Sequence, residues 1–140
     1  MFIIFVQKTK MNKYLLLLLL LIIINSCQKE AGEGGQATIY GKVYVKDYNN
    51  NFTILKGEYY APDKDVYIIY GNNRTYNDRT KTSYDGTYQF SNLRKGKYKI
   101  YVYSKDSTAT SPAGIIPIIK EVEITKRHEE YNVPDIIIFD

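Results

Sequence analysis

The sequence predicts an all-β protein: a single antiparallel Greek-key β-sandwich of about seven strands, preceded by an N-terminal leader and a flexible tether. Three observations predict this fold. Apolar residues recur with a period of two after residue 37, turn-forming residues separate the alternating runs, and no run of useful length shows the helical period. The number and spacing of these runs favour two packed sheets.

The first 26 residues have the composition of a secretory signal. Lys8, Lys10 and Lys13 provide a basic start, and the 11-residue apolar run Tyr14–Ile24 follows them. This run is too short to span a membrane, because a spanning helix needs about 20 apolar residues. Asn25 and Ser26 then precede Cys27, which is the only cysteine of the chain.

An aliphatic residue three positions before a cysteine and a small residue directly before it resemble a bacterial lipoprotein signal. The resemblance implies that residues 1–26 are removed, with Met11 as an alternative start to Met1. It also implies that Cys27 carries a diacylglycerol and acyl chains, so that the membrane is a partner through this anchor. An uncleaved anchor, or an ordinary signal with a chance cysteine, is the alternative interpretation.

The composition is rich in Ile, Lys, Tyr and Asn and resembles that of exported Bacteroidetes proteins. This resemblance implies lipid anchoring in the outer membrane, on its periplasmic or its cell-surface face. The three cations ahead of Cys27 are all lysines, so the formal charge falls from +4 for the whole sequence to +1 for the mature chain. A nearly neutral domain gives no reason to expect a nucleic acid partner.

Residues 27–36 follow the leader as the lipidated cysteine and a predicted flexible linker, because Gln28–Gln36 is polar, glycine-rich and without apolar periodicity. Residues 37–140 form the predicted sandwich. Its expected strands, in chain order, are residues 39–46, 66–70, 80–83, 87–90, 97–103, 121–125 and 133–139. The alternation of large inward residues predicts a central position for the strand that begins at Gly96.

Turn chemistry connects these runs. Asp85-Gly86 between the third and fourth runs predicts a hairpin. Pro112 and Pro117 bracket a predicted loop, residues 105–116. Pro134 predicts an edge position or a strand start for the last run, because proline cannot donate a ladder hydrogen bond.

Residues 82–100 read TSYDGTYQFSNLRKGKYKI. This segment resembles the core motif of carboxypeptidase-regulatory-like domains, T-x-x-D-G-x-Y-x-F-x-x-L-x-x-G-x-Y-x-I. These domains are prealbumin-like, carbohydrate-binding-like sandwiches related to Cna-B repeats, and residues 39–43 and 61–70 also fit their pattern. The resemblance implies structural roles for the motif residues, which are Asp85, Gly86, Tyr88, Phe90, Leu93, Gly96 and Tyr98.

Tyrosine supplies the candidate binding residues. The chain has 15 tyrosines and no tryptophan. Strand alternation predicts that Tyr40 and Tyr44 point outward on one strand, and Tyr101 and Tyr103 on another. Tyrosine is rigid and amphipathic, which suits contact with sugars or proteins, and these four residues are the predicted binding face. The alternative is that they only pack across strands, where tyrosine is also favoured.

Metal chemistry is not expected. His128 is the only histidine and lies in a charged turn. Two loops are rich in oxygen ligands, but neither has the Asp-x-Asp-x-Asp-Gly spacing of a calcium site, and Asn and Asp are common turn formers. These loops contain Asp47, Asn49, Asn50 and Asn51, and Asn72, Asn73, Asn77 and Asp78. No cofactor is therefore predicted besides the acyl chains on Cys27.

The sequence also gives little support for covalent or catalytic chemistry. Cna-B relatives can carry a Lys–Asn isopeptide bond, for which Lys42 and Asn132 are the nearest candidates. Lys42 is out of phase with the inward residues, so the bond is not expected. The sequence predicts a non-enzymatic binding or scaffold module whose partner is a glycan or an envelope protein. A small hydrolase that uses Asp63, Asp65 and Asp85, or a purely structural spacer, is the alternative.

Overall fold

The structure is a computed structural model that describes residues 12–14, 17–18 and 30–140. From residue 30 onward every regular element is a strand, which confirms the predicted all-β fold. Among the described residues, no helix has the length and apolar character needed to cross a membrane. The strands are β1 (Glu33–Tyr48), β2 (Leu55–Tyr60), β3 (Asp65–Tyr70), β4 (Asp78–Lys81), β5 (Thr87–Leu93), β6 (Gly96–Lys105), β7 (Ile115–Ile124), β8 (Glu130–Asn132) and β9 (Ile136–Phe139).

Sheet I is built around β1. Antiparallel β5 pairs with the first half of β1, up to Lys42, and antiparallel β2 pairs with the second half, from Tyr44. On the opposite side of β1 lie β8 and β9, which run parallel to it. The predicted sandwich is thus antiparallel except for this C-terminal run. Strand β7 ends opposite Gly96, at the end of the domain where β1 begins. The chain therefore enters sheet I from that end, and β8 and β9 run in the same direction as β1.

Sheet II is antiparallel, with the strand order β4-β3-β6-β7. The predicted central strand is β6, which pairs with β3 on one side and with β7 along its whole length on the other. Tyr98, Ile100 and Val102 of β6 point into the sandwich and are buried, as their alternation predicts.

The core lies between the two sheets and is formed by the inward positions of their strands. Strand β1 alone contributes Ala37, Ile39, Val43 and Val45, each with no exposed surface. The remaining buried apolar residues come from all parts of the domain, and they include Val66, Ile68, Phe90, Leu93, Val122, Ile124, Val133, Ile136 and Ile138. Burial of this apolar surface drives folding, since no disulfide can form with one cysteine.

Several other features of the sandwich differ from the sequence prediction. The Asp85-Gly86 turn does not close a hairpin, because β4 belongs to sheet II and β5 to sheet I. Strand β2 was not predicted, since its sequence LKGEYY is mostly exposed and lacks apolar alternation. Strand β7 starts within the predicted loop, and Pro117 lies inside it opposite Tyr103. Proline is tolerated there because β7 is an edge strand.

The N-terminal boundary of the domain also differs. Residues 33–36 were predicted as linker, yet they form the start of β1. The pairing of β1 with β5 shifts register here, since both Glu33 and Ala37 lie opposite Leu93. A Cβ atom on Gly35 would overlap the carbonyl oxygen of Leu93 and would lie 2.5 Å from the nitrogen of Arg94. Glycine is therefore needed for the close approach of two backbones at an irregular ladder, and not for flexibility.

Candidate functional site

The motif residues of the segment 82–100 lie at the turn and in the core. Gly86 has a φ of 81°, a left-handed conformation that glycine adopts without strain. The Ser83 hydroxyl donates to Asp85 Oδ1 at 2.6 Å, and the Thr87 N–H donates to the same oxygen at 3.1 Å. These bonds, chiefly the one from Ser83, lower the pKa of Asp85 to about 2. Asp85 thus holds the turn as an ionised acceptor.

The two motif tyrosines differ in their hydrogen bonding. The Tyr98 hydroxyl donates to the Arg94 carbonyl at 2.6 Å and accepts from the Gly32 N–H at 2.9 Å. Gly96, whose φ is 147°, lies directly beside Ala31. The Tyr88 hydroxyl is buried and has no hydrogen-bond partner among the described residues. Burial raises the pKa of Tyr88. The motif therefore builds the sandwich and contributes no reactive group on its surface.

Cys27, the predicted lipid attachment site, lies outside the described residues. Its role stays a prediction. The four tyrosines of the predicted binding face are described, but they do not share one face. Tyr40 and Tyr44 belong to β1 of sheet I, and they lie on its outer face because they alternate with the buried residues of that strand. Tyr101 and Tyr103 belong to β6 and lie on the outer face of sheet II.

The sheet I side is a small and charged patch. The rings of Tyr44 and Tyr60 meet edge to face at 5.1 Å, and Lys42 Nζ lies 4.7 Å from the centre of the Tyr60 ring. The Tyr60 hydroxyl donates to Asp135 Oδ2 at 2.9 Å, and this bond raises the pKa of Tyr60. Lys42 and Tyr60 thus already have partners within the domain.

The sheet II side carries a larger aromatic group, Tyr67, Tyr76, Tyr101 and Tyr103, which we call the tyrosine cluster. Tyr67 and Tyr101 stack with their ring centres 4.9 Å apart and an interplanar angle of 11°. Tyr76 meets Tyr67 at 5.0 Å, and Tyr103 meets Tyr67 at 5.7 Å and Tyr101 at 5.5 Å. Each ring therefore fixes its neighbours, which gives a surface with little rotamer entropy left to lose.

The cluster is open to solvent on its outer side. Tyr76 and Tyr103 are 49% and 45% exposed, whereas Tyr101 beneath them is 8% exposed. Burial raises the pKa of Tyr101 to about 12, and the adjacent Tyr103 adds to the shift. Ile119, which is 48% exposed, lies opposite Tyr101 on β7 and extends the apolar surface. The arrangement offers ring faces and uncharged phenol groups to a ligand.

Tyr67 and Tyr76 belong to this site but were not among the predicted binding residues. Tyr67 could have been found, because it is out of phase with the buried Val66 and Ile68 and must point outward. Tyr76 belongs to the connection between β3 and β4, which has no periodic signal. Tyr76 packs on Tyr67 because β4, which follows it, pairs antiparallel with β3.

The other candidate sites have local structural roles. In the first oxygen-rich loop, Asn49 Oδ1 accepts from the N–H groups of Thr53 and Ile54. In the second, Asn77 Oδ1 accepts from the Tyr70 N–H at 2.8 Å. Across residues 30–140 and the short N-terminal segments described, no group of three or more His, Cys, Asp or Glu side chains is placed to hold a metal ion.

The remaining candidate acids and the candidate isopeptide residues lie on the surface. Asp63 pairs with Lys81 at 3.2 Å, and Asp65 lies 3.9 Å from Arg79. Lys42 points to Tyr60 on the outer face of sheet I, and Asn132 is exposed on β8. His128 is exposed in the turn between β7 and β8. Asp63, Asn132 and His128 are therefore solvent-exposed, whereas Asp65 is half-buried and its Oδ1 has no hydrogen-bond partner among the described residues.

Comparison with known proteins does not identify a family for this chain. No family model matches the chain, and no curated protein matches its sequence. A crystal structure from Pseudomonas aeruginosa, described as that of a "putative carbohydrate binding protein", is similar with a TM-score of 0.45 and 13% identity. The match covers 79% of this chain and 92% of that chain. At this level the likeness carries no argument about ligand or activity.

Proposed function

We propose that this chain is an exported lipoprotein, anchored in the outer membrane through acyl chains on Cys27, that presents a non-catalytic binding module to the cell envelope. The module binds glycans through the tyrosine cluster. The observation that carries the proposal is the set of four contacting tyrosine rings on an outer sheet face that no other layer of the described residues covers. The anchor rests on the signal-like segment ahead of Cys27.

Glycan binding suits the chemistry of this surface. A pyranose ring has an apolar face of C–H groups, which packs on aromatic rings, and a rim of hydroxyls, which phenol groups can hydrogen-bond. The rings are held in place by one another, so little conformational entropy is lost when a ligand orders them. The patch on sheet I is the weaker candidate, because Lys42 and Tyr60 are already engaged with neighbours of their own.

A hydrolytic function fits the acids less well. A general acid needs a raised pKa, and burial normally provides it. Within the described residues, every carboxyl group with a resolved shift has a lowered pKa: Asp85, Asp106, Glu129 and Asp140. Asp63 is exposed and paired with a lysine. A protein partner and a purely structural spacer are the other functions that the experiments must separate.

The tyrosine cluster predicts a specific loss of binding. In the double variant Tyr76→Ala with Tyr103→Ala, affinity for a glycan identified on an array should fall by about 30-fold, which corresponds to a combined loss of about 2 kcal/mol for the two rings. The matched control is Tyr59→Ala with Tyr84→Ala, which removes two exposed tyrosines outside the cluster. The control should bind like the unaltered domain. The cluster variant loses three ring pairs and should be destabilised by about 1–3 kcal/mol while remaining folded, which thermal unfolding measures.

The array also decides between the alternatives. Binding that the control variant loses equally would assign the ligand to another surface. If no sugar binds and envelope proteins are captured in a pull-down that depends on Tyr76 and Tyr103, the ligand is a protein. If neither ligand class binds, the cluster has no binding function and the domain acts as a spacer.

The anchor has its own test in the intact precursor. Cys27→Ser should abolish palmitate labelling and move the protein from the detergent phase to the aqueous phase, because the thiol that accepts the lipid is lost. Ser26→Ala is the matched control, since it keeps a small residue before the cysteine and should still be labelled. Continued labelling of Cys27→Ser would show that the anchor assignment is wrong.

A further inference from the structure

The point where the chain enters the domain is fixed close to Cys27. The Gly32 N–H donates to the Tyr98 hydroxyl, and the Gly32 carbonyl accepts from the Arg94 N–H at 2.8 Å. Ala31 packs against Gly96, where a Cβ would lie 2.6 Å from the Cβ of Ala31. The domain therefore begins before residue 33, and the predicted linker is shortened to a few residues.

This short connection limits the distance between the domain and an anchored Cys27. Five residues lead from Cys27 to Gly32, and a fully extended chain of that length spans at most about 18 Å. A linker that reached to Ala37 would have allowed about 36 Å. The end of the domain that contains Gly32 must consequently lie close to the lipid headgroups whenever Cys27 is lipidated.

The loops at this end are basic. They are the connections β3–β4 (residues 71–77), β5–β6 (94–95) and β7–β8 (125–129), together with residues 30–32. Their cations are Arg74, Arg94, Lys95, Lys126 and Arg127, and their acids are Glu30 and Glu129. The carboxylate of Glu129 accepts from the backbone N–H groups of Thr125 and Lys126, so it is bound within its own turn.

Three of these cations, Arg94, Lys95 and Arg127, line an open groove. The groove has a volume of about 1380 Å³, and its charged lining is Arg94, Lys95, Lys97, Arg127, Glu30 and Glu123. The other acids near this end, Glu33, Asp78 and Glu130, lie on strands and not in the loops. At the opposite end, the β1–β2, β4–β5 and β6–β7 connections contain no lysine or arginine, and Lys64 of the β2–β3 connection is paired with Asp140 at 2.7 Å.

We propose that this basic end docks on an anionic phospholipid surface, so that the domain stands on the membrane with its strands pointing away from it. The proposal rests on the lipid anchor of the proposed function, which brings these loops to the headgroups. Cations within about 8 Å of an anionic surface are attracted to it at physiological salt, and removal of one such residue weakens association about fivefold. The outer faces of both sheets then face sideways and stay accessible.

The test uses residues 27–140, which contain all nine strands and the core. The single cysteine allows Cys27 to be coupled to a maleimide lipid in nanodiscs, independently of lipidation in the cell. Gadolinium-chelating lipids then broaden the amide signals of residues near the headgroups. With anionic lipid, broadening should concentrate in residues 71–77, 94–95 and 125–129, and it should weaken with neutral lipid and at high salt.

Charge-reversal variants make the test specific. Lys95→Glu with Arg127→Glu should lower the population of the docked orientation by more than about tenfold, because two attractive charges become repulsive. Lys56→Glu with Lys81→Glu changes the net charge equally on β2 and β4 and should leave the broadening pattern unchanged. Broadening spread evenly over the domain, or a pattern that Lys95→Glu with Arg127→Glu does not alter, would overturn docking. A native Cys27 found without lipid would overturn the anchor alone.

Discussion

Replacement of Gly35 by alanine should destabilise the domain by about 3 kcal/mol, at the upper end of the cost of overpacking. The added methyl group would overlap the backbone of Leu93 and Arg94, which cannot move aside as a flexible side chain could. The irregular pairing of β1 with β5 would then have to open at this point. Urea denaturation of residues 27–140 at 25 °C measures the change, provided that the m-value stays constant.

Gly57→Ala is the matched control for this substitution. Gly57 also lies in a strand of sheet I, but a Cβ on it meets no heavy atom within 4 Å. The control should change the free energy of unfolding by less than about 0.5 kcal/mol. If Gly35→Ala is equally harmless, residues 33–36 behave as a linker, and both the early start of β1 and the short distance to the membrane are wrong.

Removal of one hydroxyl group should have different consequences at Tyr98 and at Tyr88. Tyr98→Phe should destabilise the domain by about 2 kcal/mol, because the buried N–H of Gly32 and the carbonyl of Arg94 would lose their partner. Tyr88→Phe removes a buried hydroxyl that has no partner, so the variant should be unchanged or about 1 kcal/mol more stable. Thermal unfolding of the two variants measures both effects.

Each of these two variants is the control for the other, since both lose one tyrosine hydroxyl and both side chains are buried in the same core. Equal destabilisation would mean that lost packing dominates and that the Tyr98 bonds to residues 32 and 94 contribute little. A large loss at Tyr88 alone would show that its hydroxyl has a partner in solution. Either result would remove the argument that Tyr98 fixes the entry of the chain into the domain.

Strand alternation was sufficient to predict the fold class and most of the core. The inward positions of β1, β3 and β6 follow from the period of two, and the structure buries the residues that this period selects. Strand β2 could not be predicted in this way, because it lies at an edge and buries almost none of its side chains. Periodicity also does not identify the partner of a strand, which is why the parallel pairing of β8 and β9 with β1 was missed.

The candidate site was predictable only in part, for the same reason. Alternation gives the direction of Tyr101 and Tyr103 on their strand, but it does not show that Tyr40 and Tyr44 belong to the other sheet. The glycine-rich residues 33–36 were predicted as linker, because a flexible linker and a close contact between two backbones both favour glycine. The structure distinguishes a linker from a close contact, because it places the Leu93 carbonyl directly against Gly35.

The binding surface can be mapped directly by an NMR titration of isotope-labelled residues 27–140 with the glycan that gives the strongest array signal. The proposed function predicts that the shifted signals belong to Tyr67, Tyr76, Tyr101, Tyr103 and their neighbours on β7. Shifts confined to the outer face of sheet I, or to the loops beyond β6, would contradict the assignment of the tyrosine cluster as the ligand site.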